Sequence, residues 1–171
     1  MASSERQFAI VTGASSGIGY HLARECAQAG FDLLVAADRS EIQNAAADFR
    51  GLGVEVEALE VDLARTDGVD RLVAAARGRP VDALLANAGH GLGKAFLDQD
   101  FDEVRHVIDT NVTGTIYLLQ RVGREMRTRG SGDCDATPIG VPCPSKCSST
   151  ARTPVTSRSS ARKSSAVSIA Q

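Results

Sequence analysis

Aromatic residues, long apolar runs and excess charge are all scarce in this sequence. Its 171 residues include no tryptophan, two tyrosines and five phenylalanines. No stretch approaches the roughly 20 apolar residues of a membrane span, and the N-terminus carries no apolar run of signal-peptide length. The formal net charge of −2 gives no general reason to expect binding to nucleic acid or to a membrane. We therefore expect a cytoplasmic protein with neither of these partners.

Cysteine is also sparse, with four residues in the chain. Without an export signal, these cysteines are not expected to form a disulfide framework. Cys134, Cys143 and Cys147 fall near the end, but they form no Cys-x-x-Cys pair and have no histidine beside them. A tetrahedral metal site would need ligands from elsewhere, so no metal site is expected.

The composition changes abruptly at Gly130. From Ser131 onward the sequence contains no leucine and no aromatic residue, yet it holds four of the five prolines. Isolated apolar residues cannot bury enough surface to offset the entropy lost when backbone is ordered. We therefore divide the chain into a globular domain at residues 1–130 and a low-complexity, disordered tail at residues 131–171. Two origins of the tail stay open: coding DNA read out of frame, or an authentic low-complexity segment.

Short β-branched runs alternate with stretches of helical period in the first 130 residues. Strands are predicted at residues 8–12, 31–37, 54–61 and 81–86. Helices are predicted at residues 17–29, 40–52, 66–76 and 101–129. Strands joined by helices of this length form right-handed parallel crossovers. The predicted fold is α/β, an incomplete, doubly wound, Rossmann-like parallel sheet of four strands, with the tail outside it.

A glycine-rich turn joins the first predicted strand to the first predicted helix. Glycines let the backbone turn tightly and approach a pyrophosphate, while free N–H groups at the helix N-terminus attract its charge. Two serine hydroxyls in the turn could also bond phosphate oxygens. The candidate phosphate-binding residues are Gly13, Ser15, Ser16, Gly17, Ile18 and Gly19. The alternative is an ordinary glycine-rich turn.

A charge pair after the second strand bears on the choice of dinucleotide. Asp38 lies about 20 residues beyond the glycines, where an acidic residue accepts hydrogen bonds from the ribose of NAD. Arg39 follows it directly, and an arginine there holds the extra phosphate of NADP. The two side chains favour opposite cofactors, so NAD or NADP is expected, with the preference left open. An exposed Asp-Arg turn with neither role is the alternative.

These motifs resemble the short-chain dehydrogenase/reductase family over about residues 7–130. Residues 12–19 show its Thr-Gly-x-x-x-Gly-x-Gly spacing, which differs from the Gly-x-Gly-x-x-Gly of other dinucleotide folds. The resemblance implies that Asp62 and Leu63, at the end of the third strand, are also cofactor-binding, with the acidic residue near the adenine ring. For Asp62 alone, a turn residue that leads into a helix is the alternative.

Two further matches carry the resemblance to the other side of the sheet. Asn87, Ala88 and Gly89 end the fourth strand and match the family's Asn-Ala-Gly, which supports the sheet and flanks the cofactor ribose. Asn111 matches the asparagine that in the family helps to hold a proton-relay water, and it is the one catalytic position retained. A turn residue and a solvated helix residue are the respective alternatives.

The family's reaction moves a hydride between nicotinamide and a small alcohol or carbonyl compound. A tyrosine passes the proton, and a lysine four residues later lowers its pKa, since an unperturbed tyrosine titrates near ~10. In this sequence Tyr20 precedes Arg24 and Tyr117 precedes Arg121 at that spacing, so no Tyr-x-x-x-Lys is present. We therefore expect an NAD(P)-dependent oxidoreductase truncated before its catalytic residues, with weak dinucleotide binding and negligible turnover. The alternative is a non-catalytic dinucleotide-binding or regulatory module.

The resemblance also bears on assembly. In the family a fifth strand covers the fourth, and the long helix packs in a homo-oligomer interface. A chain that stops short of these partners would leave an apolar strand edge and an apolar helix stripe exposed, which favours aggregation. The homo-oligomer interface of the family is therefore expected to be incomplete.

Overall fold

The computed structural model describes residues 6–135, in which five parallel strands form one sheet. The strands are β1 (Phe8–Thr12), β2 (Asp32–Ala37), β3 (Val56–Glu60), β4 (Ala83–Leu85) and β5 (Asp133–Asp135). Their order across the sheet is β3-β2-β1-β4-β5. The chain first runs outward from β1 to β3 and then returns to the other side of β1. This reversal confirms the predicted doubly wound α/β fold.

Helices connect the strands on both faces of the sheet. They are α1 (Gly17–Gln28), α2 (Ile42–Arg50), α3 (Thr66–Ala75), α4 (Phe101–Ile108) and α5 (Thr115–Arg129). A 3-10 turn at Phe96–Asp98 precedes α4, and a π-helical segment at Asp109–Gly114 joins α4 to α5. The long helix predicted at residues 101–129 is thus one helical run with a widened turn in its middle. Within residues 6–135, no helix is long and apolar enough to cross a membrane.

The two central strands are buried on both faces. Every residue of β1 and of β2 is buried, as expected for parallel strands covered by helices on both sides. One face packs on α1 and α2, where Ile42 and Phe49 are fully buried. The other packs on α3 and α5, where Leu72 and Leu118 are fully buried. With both faces covered, the ends of the strands are the part of the sheet that a ligand can reach.

The fifth strand is the main difference from the predicted four-stranded sheet. Helix α5 ends at Gly130, whose φ of +75° is left-handed, and Gly132 follows with a φ of +120°. These glycines turn the chain back along the sheet, where β5 pairs in register with β4. The pairing satisfies backbone groups at the edge of β4, so the prediction that this strand edge would be exposed is wrong. The sheet thus extends into residues 131–135 of the predicted tail. Residues 136–171, with the hypotheses about their disorder and reading frame, lie outside the described residues.

An apolar stripe runs along α4, the π-helical segment and α5. Its members Phe101, Ile108, Val112 and Ile116 are all exposed. They recur at helical spacing on the side of this helical run that faces away from the sheet. The exposed helix stripe that the sequence predicts is therefore present, and the homo-oligomer interface stays a prediction.

A buried carboxylate ties together the amino end of the sheet. The side chain of Asp32, at the start of β2, is 8% exposed. Its Oδ2 lies 3.0 Å from Arg79 Nη2, and its Oδ1 accepts a hydrogen bond from Glu55 N at 3.0 Å. Arg6 lies 3.6 Å from the same Oδ1. The cluster joins four separate segments of chain at the edge opposite to the carboxyl ends of the strands, so we expect it to stabilise the fold.

Replacing Asp32 with alanine is expected to lower the free energy of unfolding by about 2 kcal/mol, because it leaves the partly buried N–H of Glu55 without its acceptor and two arginines without their partner. The value falls below that of a fully buried pair because the arginines retain access to water. Urea unfolding followed by circular dichroism measures the change. The control is Glu57→Ala, at an exposed ion pair of 3.2 Å with Arg77, where a loss of about 0.5 kcal/mol is expected. Equal losses in the two variants would contradict this role for Asp32.

Candidate functional site

A cavity of about 790 Å³ lies at the carboxyl ends of β1, β2, β3 and β4. It spans the point where the strand order reverses between β1 and β4, which is the usual ligand crevice of a doubly wound sheet. All of the sequence-predicted site residues line it except Gly19: Gly13, Ser15, Ser16, Gly17, Ile18, Asp38, Arg39, Asp62, Leu63, Asn87, Ala88, Gly89 and Asn111. Residues separated by up to 98 positions in the sequence are therefore brought to one surface.

The glycine turn forms the centre of the cavity wall. Gly13 and Gly17 adopt φ values of +67° and +58°, a region that L side chains rarely enter. A Cβ on Gly13 would lie 2.9 Å from Ala88 Cα, so the backbone of the turn and of the segment after β4 are in direct contact. Ser16 is the N-cap residue of α1, and its side chain makes no capping hydrogen bond. The first turn of α1 thus presents backbone N–H groups and a serine hydroxyl to the cavity.

Gly19 supports this turn from behind. A Cβ at this position would overlap the carbonyl oxygen of Gly13 and lie 2.6 Å from Asn87 Nδ2. Gly19 is buried and does not line the cavity. Because Gly19 has no side chain, α1 can pack closely against the glycine turn. The neighbouring Ile18 is 65% exposed and contributes an apolar surface to the cavity.

Thr12 connects the glycine turn to β4, a role that sequence reasoning missed. Its hydroxyl accepts hydrogen bonds from Asn87 N at 3.0 Å and from Ala88 N at 2.9 Å. In return, Asn87 Nδ2 donates to the carbonyl oxygen of Thr12 at 3.3 Å. Thr12 is 1% exposed, so these bonds lie out of solvent. A threonine inside an otherwise apolar strand, directly before a glycine turn, is the signal that could have indicated this contact.

Asn111 fixes the loop that follows β4. Its Oδ1 accepts a hydrogen bond from His90 N at 3.0 Å, and its Nδ2 donates to His90 O at 2.9 Å. The π-helical segment that contains Asn111 presents the amide to this loop, as widened turns often do at functional sites. Because both ends of the amide are engaged, the side chain positions the backbone of His90.

The charged part of the cavity lies at the carboxyl ends of β2 and β3. Arg39 Nε lies 3.9 Å from Asp38 Oδ1, and both side chains are more than half exposed. Such a pair is weak in water, so each group is available to a ligand. Asp62 Oδ1 accepts a hydrogen bond from Ala64 N at 2.9 Å, which makes it a turn residue as well as part of the cavity wall.

Both of the chain's tyrosines lie away from the cavity. Tyr20 donates a hydrogen bond to Asp48 Oδ2 at 3.0 Å, and this bond raises the pKa of Tyr20 above its ordinary value. Tyr117 donates to Asp70 Oδ1 at 3.0 Å, a group that also pairs with Arg121. A proton-transfer tyrosine needs a lowered pKa and a place beside the reacting carbon. Neither tyrosine lines the cavity, and their contacts with Asp48 and Asp70 join neighbouring helices.

Two residues of the cavity wall carry no signal in the sequence. His106, on α4, and Thr110, in the π-helical segment, both line the cavity. Each sits in a stretch whose pattern is that of an ordinary amphipathic helix. Only the path of α4 across the cavity brings them there, so local periodicity could not reveal them.

A model of the short chain dehydrogenase family matches residues 7–134. The chain belongs to the short-chain dehydrogenase family. The relatives that it matches include further oxidoreductases. L-rhamnose 1-dehydrogenase (NAD(P)(+)) of Azotobacter vinelandii is 35% identical over 130 residues, which cover 72% of this chain and 51% of the relative. NADP-dependent mannitol dehydrogenase of Hypocrea jecorina is 32% identical over 130 residues, with 72% and 49% covered.

Two solved structures that contain NADPH share the fold of this chain. L-sorbose reductase of Gluconobacter frateurii, in a complex with NADPH and L-sorbose, superposes with a TM-score of 0.69 and 28% identity, covering 75% of this chain and 51% of the other. A short-chain dehydrogenase of Sphingobium yanoikuyae in complex with NADPH gives a TM-score of 0.69 and 31% identity, covering 75% and 52%. This chain spans about half the length of the relatives that it matches.

Proposed function

We propose that this chain binds a nicotinamide dinucleotide in the cavity, as the cofactor-binding part of an NAD(P)-dependent oxidoreductase of the short-chain type. The parent reaction would move a hydride between nicotinamide and a small alcohol or carbonyl compound. The observation that carries the proposal is the convergence of a glycine turn, the Asp38 carboxylate and the Asn87–Gly89 segment around one cavity at the strand-order reversal. The exposed Ile18 and the close packing at Gly13 fit a ligand that lies directly on the backbone.

The layout of the cavity orients the dinucleotide. The N-terminus of α1 and the hydroxyls of Ser15 and Ser16 would hold the pyrophosphate. Asp38, at the end of β2, would accept the hydroxyls of the adenosine ribose. The other half of the molecule would then lie over β4, beside Asn87–Gly89. When bound, the dinucleotide supplies the hydride acceptor or donor, while the chain's own residues hold and orient it.

We further propose that the chain binds the dinucleotide without measurable turnover. Its two tyrosines are engaged with Asp48 and Asp70 outside the cavity, so neither is placed to move a proton to or from a substrate. This arrangement favours binding without catalysis, whether the chain is a truncated oxidoreductase or a binding module in its own right. The segment after Gly130 has two possible origins, coding DNA read out of frame or an authentic low-complexity tail. Resequencing the coding DNA across the Gly130 codon and translating all three frames distinguishes them.

Thermal unfolding of the purified chain tests this function. A ligand present at a hundredfold excess over its Kd stabilises the folded state by about 2.7 kcal/mol. We therefore expect a cooperative transition that shifts upward with NADH or NADPH, and no consumption of NADPH when small aldehydes and ketones are added. A transition that neither cofactor shifts, or steady NADPH oxidation by the chain alone, would contradict the proposal.

Asp38 and Arg39 are expected to control the preference between the two cofactors. Asp38→Asn removes a negative charge that repels the 2′-phosphate, so the affinity for NADPH should rise about tenfold relative to NADH. Arg39→Gln removes the attracting charge, so the same ratio should fall about tenfold. Fluorescence titration of both cofactors measures the ratio. If each variant changes the two affinities equally, the pair is only an exposed turn.

A further inference from the structure

The cavity is divided into two electrostatically different ends. Its charged lining residues are all on the β2 and β3 side, where Asp38, Arg39 and Asp62 lie. On the side of β4 and α4, the lining residues include no carboxylate, and the titratable groups are the imidazoles of His90 and His106. A ligand that reaches this end therefore meets hydrogen-bond donors and no acidic side chain of the cavity wall.

The two imidazoles form a pair. Their ring centroids lie 5.3 Å apart with an interplanar angle of 45°. They come from different elements, since His90 follows β4 and His106 lies on α4. The backbone of His90 is held by both ends of the Asn111 amide, at 3.0 Å and 2.9 Å. The two rings thus meet at the cavity wall, and the backbone that carries one of them is held by Asn111.

Adjoining imidazoles favour a negatively charged partner. A protonated imidazole has two N–H donors and a neutral one has a single donor. In either state each ring offers at least one N–H donor, so an anion that lies beside both rings can accept a hydrogen bond from each. Four charged residues lie within one turn of His106: Asp102 and Glu103 precede it on α4, and Arg105 lies 3.9 Å from Asp109.

We propose that His90 and His106 bind the carboxylate of a substrate that carries this group close to its reacting carbonyl or alcohol carbon. The inference rests on the proposed function, because the nicotinamide half of the dinucleotide lies over β4 only if its adenosine ribose is held at Asp38. A small oxo acid or hydroxy acid fits this geometry, since its carboxylate would meet the imidazole pair while its carbon faces the nicotinamide. The pair defines the chemical class of the substrate, and it moves no proton.

Proton NMR of the histidine rings tests the proposal on the full chain. Only three imidazoles contribute signals, and the variants His21→Gln, His90→Gln and His106→Gln assign them. Acetoacetate is the anionic probe and methyl acetoacetate is its neutral counterpart, each added to the chain with and without NADPH. We expect acetoacetate to shift the His90 and His106 signals in a saturable manner, the ester to leave them in place, and His21 to respond to neither.

The variants then measure the strength of the contact. His90→Gln and His106→Gln should each weaken acetoacetate binding about tenfold, because each loses a charge-assisted hydrogen bond, whereas His21→Gln should not change it. Equal responses to acid and ester, or no response to acetoacetate, would overturn the proposal.

NADPH fluorescence on the same samples reports dinucleotide binding separately. If NADPH binds and acetoacetate does not, the imidazole pair has no anion role and the proposed function stands. If NADPH does not bind, the proposed function fails. The titration without cofactor then still shows whether the imidazole pair binds acetoacetate.

Discussion

Replacing Gly19 with alanine is expected to lower the free energy of unfolding by about 3 kcal/mol and to weaken dinucleotide binding at least about tenfold. The added methyl group would overlap the carbonyl oxygen of Gly13 and lie 2.6 Å from Asn87 Nδ2. The first of these atoms belongs to the backbone, so it cannot rotate away. Either α1 moves outward or the glycine turn changes shape, and both changes displace the N–H groups that would hold the pyrophosphate.

Gly123→Ala is the matched control for this prediction. Gly123 also lies inside a helix, but a Cβ there would meet nothing within 4 Å. Alanine is the better helix former, so this variant should be more stable by about 0.5–1 kcal/mol and should bind the dinucleotide normally. Urea unfolding and cofactor titration measure both quantities. If Gly19→Ala behaves like Gly123→Ala, the packing of α1 on the turn does not shape the site.

Thr12→Val is expected to have the second large effect, a loss of about 3 kcal/mol in the free energy of unfolding. Valine has the shape of threonine and suits a strand, so the change removes little except the hydroxyl. Asn87 N and Ala88 N would then lose their acceptor in a place where the side chain of residue 12 is 1% exposed. Because these groups hold the segment after β4 against the glycine turn, dinucleotide affinity should fall as well.

Two variants separate the hydroxyl from other effects. Thr12→Ser keeps the acceptor and removes one methyl group, so it should cost about 1 kcal/mol and leave cofactor affinity nearly unchanged. Thr113→Val removes an exposed hydroxyl that contacts Asp109, and its effect should stay within about 0.5 kcal/mol. A Thr12→Val chain as stable as Thr12→Ser would show that the two buried hydrogen bonds are unimportant.

The order of strands and helices was predictable because burial on both faces leaves a direct trace in the sequence. Residues 8–11 and 33–37 form unbroken apolar runs, and they make up most of β1 and β2, whose observed bounds differ from the predicted ones by at most one residue. The glycine turn was predictable for a similar reason, since the backbone angles at Gly13 and Gly17 admit few other residue types. Structural features that permit only a few residue types at a position, such as a buried strand or a left-handed turn, can be predicted from a single sequence.

Contacts between distant segments were not readable in the same way. The π-helical segment at Asp109–Gly114 has the apolar spacing of an ordinary helix, so its widened turn leaves no mark. The residues of strand β5 have no apolar pattern in the sequence, so its pairing with β4 could not be predicted from them. His106 and Thr12 reach the site through the tertiary fold. The family resemblance located Asn111, but only the structure shows that its amide holds His90.

Isothermal titration calorimetry of the full chain with NADPH and with NADH tests most directly whether the cavity binds a nicotinamide dinucleotide. We expect saturable binding of one cofactor molecule per chain, weakened at least about tenfold by Gly19→Ala and unaffected by Gly123→Ala. Circular dichroism of the same samples establishes that each variant is folded. A folded chain that gives no binding heat with either cofactor at millimolar concentration would show that the cavity is not a dinucleotide site.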